Sequence, residues 1–371
     1  ASSSGDNFFD GGAGNDTITG DAGNDIITTG AGTDNVDAGA GDDTVITAGN
    51  LSASDVIAGG DGTDTLSLST AATAVTAASV TGFETLAING AITQDMAVFT
   101  ATTFTTIDNS NAGAADIDNA TNAVTHLGQS GSGGDIDFER LVDGTANSIT
   151  VSAQDDVAAS DGVTAIGTLD IPNEETISLV SGSNAAETLT VTTLTADDAT
   201  SVTLSGTANV AVTGNVTSAV NLATVNASGV TGTAEFHATG ATANITATAS
   251  VGAFEFTGGG GSDIITGGAA ADILIGGGGS DTISGGASAD EITGGAGLDT
   301  LTGGAGADSF NNAVGVLGAN ITDFTALAGG DVLEYTGAGT AVAGTWTEMT
   351  WADQTTGSIA NGEVIGITGR T

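Results

Sequence analysis

Six aspartates, Asp263, Asp272, Asp281, Asp290, Asp299 and Asp308, stand nine residues apart, and Asp16, Asp25, Asp34 and Asp43 repeat the interval near the start. After a three-residue offset the series resumes with Asp55 and Asp64. Around each runs one nonapeptide, G-G-x-G-x-D-x-U-x with U apolar, best seen at Gly258 to Thr266, Gly294 to Thr302 and Gly59 to Ser67. Residues 2 to 10 are a worn copy, with Asn7 at the aspartate position and Phe9 at the apolar one. Carboxylates and backbone carbonyls are hard oxygen donors, and six or more of them suit Ca²⁺. Carboxylates about 4 Å apart repel by ~1 kcal/mol per pair in water and ~4 kcal/mol at an effective dielectric of 20, so stacked copies call for cations between them.

The elements that must position these acids follow from the same nine residues. The last three, such as Ile264-Ile265-Thr266 or Thr282-Ile283-Ser284, alternate as a short strand does, which points Ile265, Leu274, Ile283, Ile292, Leu301 and Phe310 inward. The first six must turn tightly, and glycine permits the positive φ this requires. Stacked turns then place the aspartates beside carbonyls of the glycine loops. The candidate metal ligands are Asp16, Asp25, Asp34, Asp43, Asp64, Asp263, Asp272, Asp281, Asp290, Asp299 and Asp308 with Gly12, Gly14, Gly60, Gly62, Gly259, Gly261, Gly277, Gly279, Gly295, Gly297, Gly304 and Gly306. At free calcium ten times Kd each site adds ~1.4 kcal/mol, and eight independent sites ~11 kcal/mol. The blocks are therefore expected to be unfolded in a calcium-poor cytosol and to fold after export. Ala270 and Ser288 replace glycines of the pattern, and the copies starting at Gly20, Thr29 and Ala38 lose part of the leading pair.

The nonapeptide resembles the RTX repeat of secreted calcium-binding proteins, whose fold is a parallel β-roll. The resemblance implies an all-β chain with RTX β-rolls at residues 1–67 and 258–311, several bound Ca²⁺ ions, and a capping and secretion-signal region at 312–371. Between the rolls, 68–257 is rich in Thr, Ala, Ser and Val. Alternating stretches such as Thr188-Leu189-Thr190-Val191-Thr192 and Ser201-Val202-Thr203-Leu204-Ser205 read as strands. Val210-Ala211-Val212, Glu235-Phe236-His237 and Phe254-Glu255-Phe256 recur at about one solenoid coil, with Val202, Val225 and Ile245 as a second series. A β-solenoid is expected there, with a β-sandwich as the alternative. Gly128 to Gly134 reads as a loop and an internal boundary, and Ala91 to Phe99 as the one short helix before the tail.

Composition narrows the partners. The chain has 371 residues, 45 Asp plus Glu against two arginines, Arg140 and Arg370, and a net charge of −43. No basic surface exists to coat phosphates, which excludes nucleic acid. With no cysteine there is neither a disulfide framework nor a thiolate metal site. No apolar run approaches the ~18 residues of a membrane span, so no membrane insertion is expected. Hydrophobic residues at 39%, a single proline and the strict period argue against disorder.

Catalysis finds no residues to carry it. His126 and His237 form no H-E-x-x-H, and read as surface or strand packing; there is no G-x-S-x-G elbow. Glu174-Glu175 on a strand would point to opposite faces. One arginine outside the terminus cannot neutralise a uronate substrate. No active site is assigned. Ala1 is no initiator and the first residues are already in register, so further protein is expected upstream.

Taken together these features resemble the RTX surface-layer proteins of Gram-negative bacteria, through phrases such as Val80-Thr81-Gly82-Phe83-Glu84-Thr85-Leu86 and Ala223 to Gly229. The tail, Asn320 to Phe324 and Gly329 to Leu333, is similar to the segment that follows RTX rolls in exported proteins and leads to a type I secretion signal. The resemblance implies self-association into a lattice or filament at the cell surface, with a cell-surface polysaccharide contacted through upstream residues. Trp346, Trp351 and Tyr335 are expected to cover the open end of the roll. A calcium-dependent adhesin, biofilm-matrix or ice-binding module is the alternative, raised by Thr190/Thr192 and Thr246/Thr248.

Overall fold

A computed structural model describes residues 5–47, 51–77, 79–110, 113–129, 132–153, 163–182, 187–216, 218–249, 251–313, 319–325, 330–336 and 366–367. By contacts the chain divides into Ala1–Ala199 and Thr200–Thr371. Trp346 and Trp351 lie outside the described residues, and Tyr335 lies on the strand Val332–Thr336.

In the first unit every coil adds one strand to each of two walls. One wall runs from Phe8–Asp10 through Ile26–Thr28, Thr44–Ile46, Thr65–Leu68, Thr85–Ile88, Thr106–Asn109, His126–Gln129 and Ser148–Ala153 to Thr176–Val180, all parallel. The opposite wall holds Thr17–Ala22, Asn35–Ala40, Val56–Asp61 and Val80–Thr81, and then Ile92–Asp95, Ala115–Ala120, Ser132–Arg140, Val163–Asp170 and Thr188–Thr195. The second unit repeats the plan. Its walls are Ser201–Gly206, Thr224–Val230, Thr246–Thr248, Ile264–Gly268, Thr282–Ala287, Thr300–Ala305 and Asn320–Ile321, and Val210–Asn215, Ala234–His237, Phe254–Thr257, Ile273–Gly278, Glu291–Ala296, Ser309–Ala313 and Val332–Thr336.

Two nonapeptides make one coil, so Ile264 pairs with Thr282 and Thr282 with Thr300. Equivalent residues then stack, and Ile265, Ile283 and Leu301 on one wall face the core with Leu274, Ile292 and Phe310 on the other, all 2% exposed or less. β-Branched residues suit these short, half-buried strands. Outside the nonapeptides the coils lengthen but the pairing stays parallel, which selects a solenoid over the antiparallel sheets of a sandwich.

Several expectations change. Ile92–Asp95 is a strand followed by the 3₁₀ turn Met96–Val98, because Ile92 and Gln94 alternate inward and pair with Ala115 and Ile117. The described α-helical turn is Ala74–Ala77. Gly128 and Gly134 lie in strands, not in a loop, since small residues fit where successive coils stack closely. In the second series Ala247, not Ile245, pairs with Val225, although Ile245 is also buried. Glu174 and Glu175 lie in the turn ahead of Thr176–Val180. Glu174 is buried against Arg140, and Glu175 accepts the Asn147 N–H at 2.6 Å.

Arg140 is the organising polar residue of these longer coils. Its guanidinium pairs with Glu174 through Nε and, at 3.1 Å, through Nη2. It also donates to the carbonyls of Thr121, Val124 and Ser148 at 3.1–3.2 Å. Every face of this buried cation is thereby satisfied. Among the described residues no helix is long and apolar enough to cross a membrane.

Candidate metal centre

The aspartates form ladders along the turns. In the second unit the N–H of Ile245 donates to Asp263 Oδ1, that of Asp263 to Asp281 Oδ1 and that of Asp281 to Asp299 Oδ1, at 2.8–3.0 Å. On the other side Phe254, Asp272, Asp290 and Asp308 donate in turn to Asp272, Asp290, Asp308 and Asp331 at 2.8–3.1 Å. The first unit has the same pair of ladders. Asn7, Asp25 and Asp43 donate to Asp25, Asp43 and Asp64, and Asp16 and Asp34 donate to Asp34 and Asp55. The offset after Asp43 is absorbed without loss of register, because coils of 18 and 21 residues close onto the same rung.

One carboxylate oxygen is thus spent on the neighbouring coil. The other faces the turn. In Asp16, Asp43, Asp64, Asp281, Asp290, Asp299 and Asp308 the buried Oδ2 has no hydrogen-bond partner. The Oδ2 atoms of Asp263 and Asp272 receive only the N–H of Gly259 at 3.3 Å and of Gly268 at 2.7 Å. Asp16 is half-buried, the other ten predicted aspartates are 2% exposed or less, and Asp55 is 3% exposed. Burial first, then the charges of Asp272 and Asp308, pushes Asp290 up to about 7. Burial, then Asp299 and Asp263, raises Asp281 to about 6, and burial, then Asp43 and Glu84, raises Asp64 to about 6. A buried carboxylate oxygen without a donor is a costly arrangement that a cation relieves.

At Asp263, Asp272, Asp281 and Asp290 the carbonyl beside Oδ2 belongs to the leading residue of the next coil. A methyl group placed on Gly285 would strike the Asp290 carboxylate and, at 2.7 Å, the Gly303 carbonyl. Gly258, Gly267 and Gly276 likewise face Asp263, Asp272 and Asp281 together with the carbonyls of Gly276, Gly285 and Gly294. No three His, Cys, Asp or Glu side chains converge among the described residues, so backbone carbonyls must complete the donor set. That set fits a hard cation that accepts neutral oxygens, as Ca²⁺ does.

The second and fourth glycines hold the turns. Gly12, Gly14, Gly60, Gly62, Gly277, Gly279, Gly295, Gly297, Gly304 and Gly306 have positive φ, and Gly259 and Gly261 are not among them. The Gly259 carbonyl accepts the Gly278 N–H at 2.8 Å. Ser288 takes φ +83, a conformation that L side chains rarely adopt, and its hydroxyl donates to the Ala269 carbonyl at 2.8 Å.

Glu84, Asp323 and Asp331 were missed by sequence reasoning, since none sits in a complete nonapeptide. Glu84 Oε2 accepts the Asp64 N–H at 2.9 Å, and Asp323 accepts the N–H groups of Gly303 and Gly304 at 3.0 and 2.8 Å. The detectable signal was the partial phrase, Glu84-Thr85-Leu86 or Asp331-Val332-Leu333, matching Asp64-Thr65-Leu66. The histidines stand on strands: His126 Nε2 lies 2.7 Å from Ser152 Oγ, and His237 meets Thr257 and Glu235.

The family model of the RTX calcium-binding nonapeptide repeat (4 copies) matches the chain at residues 2–36, 10–45, 52–69, 257–292 and 284–315. These segments contain all of the predicted aspartates. Among curated proteins nothing matches.

Proposed function

We propose, from the premise that the chain is an RTX calcium-binding repeat protein, that it is an extracellular structural protein which folds on calcium and assembles into a surface layer or filament. Calcium binding is the property of the repeats themselves. RTX proteins are generally exported by type I systems to the extracellular space, and the roll is a scaffold that is typically non-enzymatic. The observation that carries the folding half of the reading is the run of buried, unpartnered Oδ2 atoms. Bound calcium neutralises those oxygens, and the ladders hold each carboxylate in place so that little reorganisation is needed.

Assembly is supported by charge and repetition. At −43 two copies repel, while parallel coils present the same groups again and again along each face. Calcium bridging acidic groups of neighbouring copies turns that repulsion into repeated contacts. A type I secretion tail and contact with cell-surface polysaccharide complete the reading. Negative-stain imaging of purified protein tests it. Sheets or filaments that dissolve in chelator are expected; lone rods at all calcium concentrations refute assembly.

A second reading, an adhesin or ice-binding module, is favoured by one observation. In the second unit Thr224, Thr246, Ile264, Thr282 and Thr300 stack in register beside Asn226, Thr248, Thr266, Ser284 and Thr302. Thr302 and Thr322 hydroxyls meet at 2.8 Å. These columns lie on the outward side of the strands. Rods that inhibit ice recrystallisation would select this reading.

A further inference from the structure

The carboxylate ladder of the first block continues past its last nonapeptide. Asp43 donates its N–H to Asp64 Oδ1 at 2.9 Å, and Asp64 donates its own to Glu84 Oε2 at 2.9 Å. Glu84 occupies the rung where the next aspartate would stand, because Thr65, Leu66 and Ser67 pair in register with Thr85, Leu86 and Ala87. On the entering side Ile57 and Ala58 pair with Val80 and Thr81, which brings Gly82 over Gly59.

The cradle of a regular site is rebuilt there. A methyl on Gly59 would strike the Gly82 carbonyl and, at 2.7 Å, Asp64 Oδ2. On Gly285 it would strike the Gly303 carbonyl and Asp290 Oδ2 in the same way. Yet the partner turn is no nonapeptide: only Phe83 separates Gly82 from Glu84, whereas Gly60-Asp61-Gly62-Thr63 separates Gly59 from Asp64. The shortened turn drops the glycine loop, and the longer glutamate side chain still reaches the Asp64 N–H. If Glu84 were only an amide cap, one acceptor oxygen would suffice. The capped ladder would still leave Asp64 Oδ2 fully buried with no partner, beside the Gly82 carbonyl.

We propose that the Ca²⁺ site of Asp64 Oδ2 is completed at this seam, outside the nonapeptide pattern, by the Gly82 carbonyl and the Glu84 carboxylate. The inference rests on the calcium reading of the regular ladders and extends it beyond them, to a turn outside the matched repeats. Occupation ties Val80–Thr81 and Thr85–Ile88 to the first block, so that calcium orders the start of the long-coil region as well.

The test counts ions on the full chain by native mass spectrometry at fixed free calcium, with circular dichroism to follow folding. Glu84→Gln keeps an acceptor oxygen for Asp64 and removes the charge. The expected result is one ion fewer than wild type with an unchanged spectrum. An equal count and an equal calcium midpoint overturn the site while leaving the regular ladders standing. A wild type that binds no calcium overturns the reading beneath it instead. Should Glu84→Gln fail to fold, Glu84→Asp keeps the charge but shortens the reach. The calcium concentration that loads the last ion should then rise about tenfold or more, and an unchanged value overturns the proposal.

Discussion

Asp290→Asn should weaken the second block in calcium and strengthen it in chelator. Asparagine retains an oxygen to accept the Asp272 N–H, now at 2.9 Å, and keeps its own N–H for Asp308 at 3.0 Å, so the ladder survives and only charge is lost. Strands of adjacent coils lie ~4.8 Å apart, and two carboxylates at that distance cost at most ~3.5 kcal/mol at an effective dielectric of 20. Neutralising Asp290 relieves repulsion toward both Asp272 and Asp308 when no cation is present. With calcium at ten times Kd each site is worth ~1.4 kcal/mol. Asp290 offers one free oxygen, Oδ2, to one turn, so about 1.4 kcal/mol is lost. Urea midpoints from far-ultraviolet circular dichroism measure the calcium-loaded protein, and folding induced by trimethylamine N-oxide measures it in EDTA. The variant should unfold at lower urea and fold at lower osmolyte. A variant weakened equally in both conditions would falsify the cation account and make the carboxylate merely structural.

Three further outcomes are expected. Gly297→Ala, at φ +146 and with its new methyl overlapping the Gly279 carbonyl, should cost ~2 kcal/mol or more. Gly278→Ala, whose nearest neighbour is 3.8 Å away, should stay within ~0.5 kcal/mol; equal melting temperatures for the two in calcium would contradict the stacking. In EDTA, Asp64 and Asp281 near 6 and Asp290 near 7 all exceed the ordinary 3.8, so the folded state binds more protons than the unfolded one. Calcium-free stability is therefore fully present near pH 4 and is lost as pH rises through 7; a folded fraction that grows over that range would refute the sign. Arg140→Leu strands Glu174 in the interior and should cost ~3–5 kcal/mol, equally with and without calcium. Hydrogen exchange over 121–180 would report it, and a loss confined to EDTA would argue against an autonomous clamp.

The nonapeptide told most about the part of the molecule where one period governs everything. Nine residues make a turn and a strand, and eighteen close a coil, so counting from Asp263 to Asp281 already places one over the other and sends Ile265 and Ile283 inward. Where coil length varies, counting fails. Glu84 reaches its rung after a shortened turn, and Ala247 rather than Ile245 takes the position beside Val225. Ala91 to Phe99 looked helical because small and apolar residues there satisfy more than one period, and the neighbouring coil at Ala115 decided for a strand.

The sequence by itself determined the chemistry of the repeats: hard oxygen donors at a fixed interval, and too much negative charge to stack without cations. Only the tertiary structure decided which oxygen is spent on the next coil and which faces the turn alone. It also paired Arg140 with Glu174 across 34 residues. The physical reason is that period and residue type are local properties of the chain. The partner of a buried polar atom depends instead on the summed length of every coil between, and one residue more or less moves the rung.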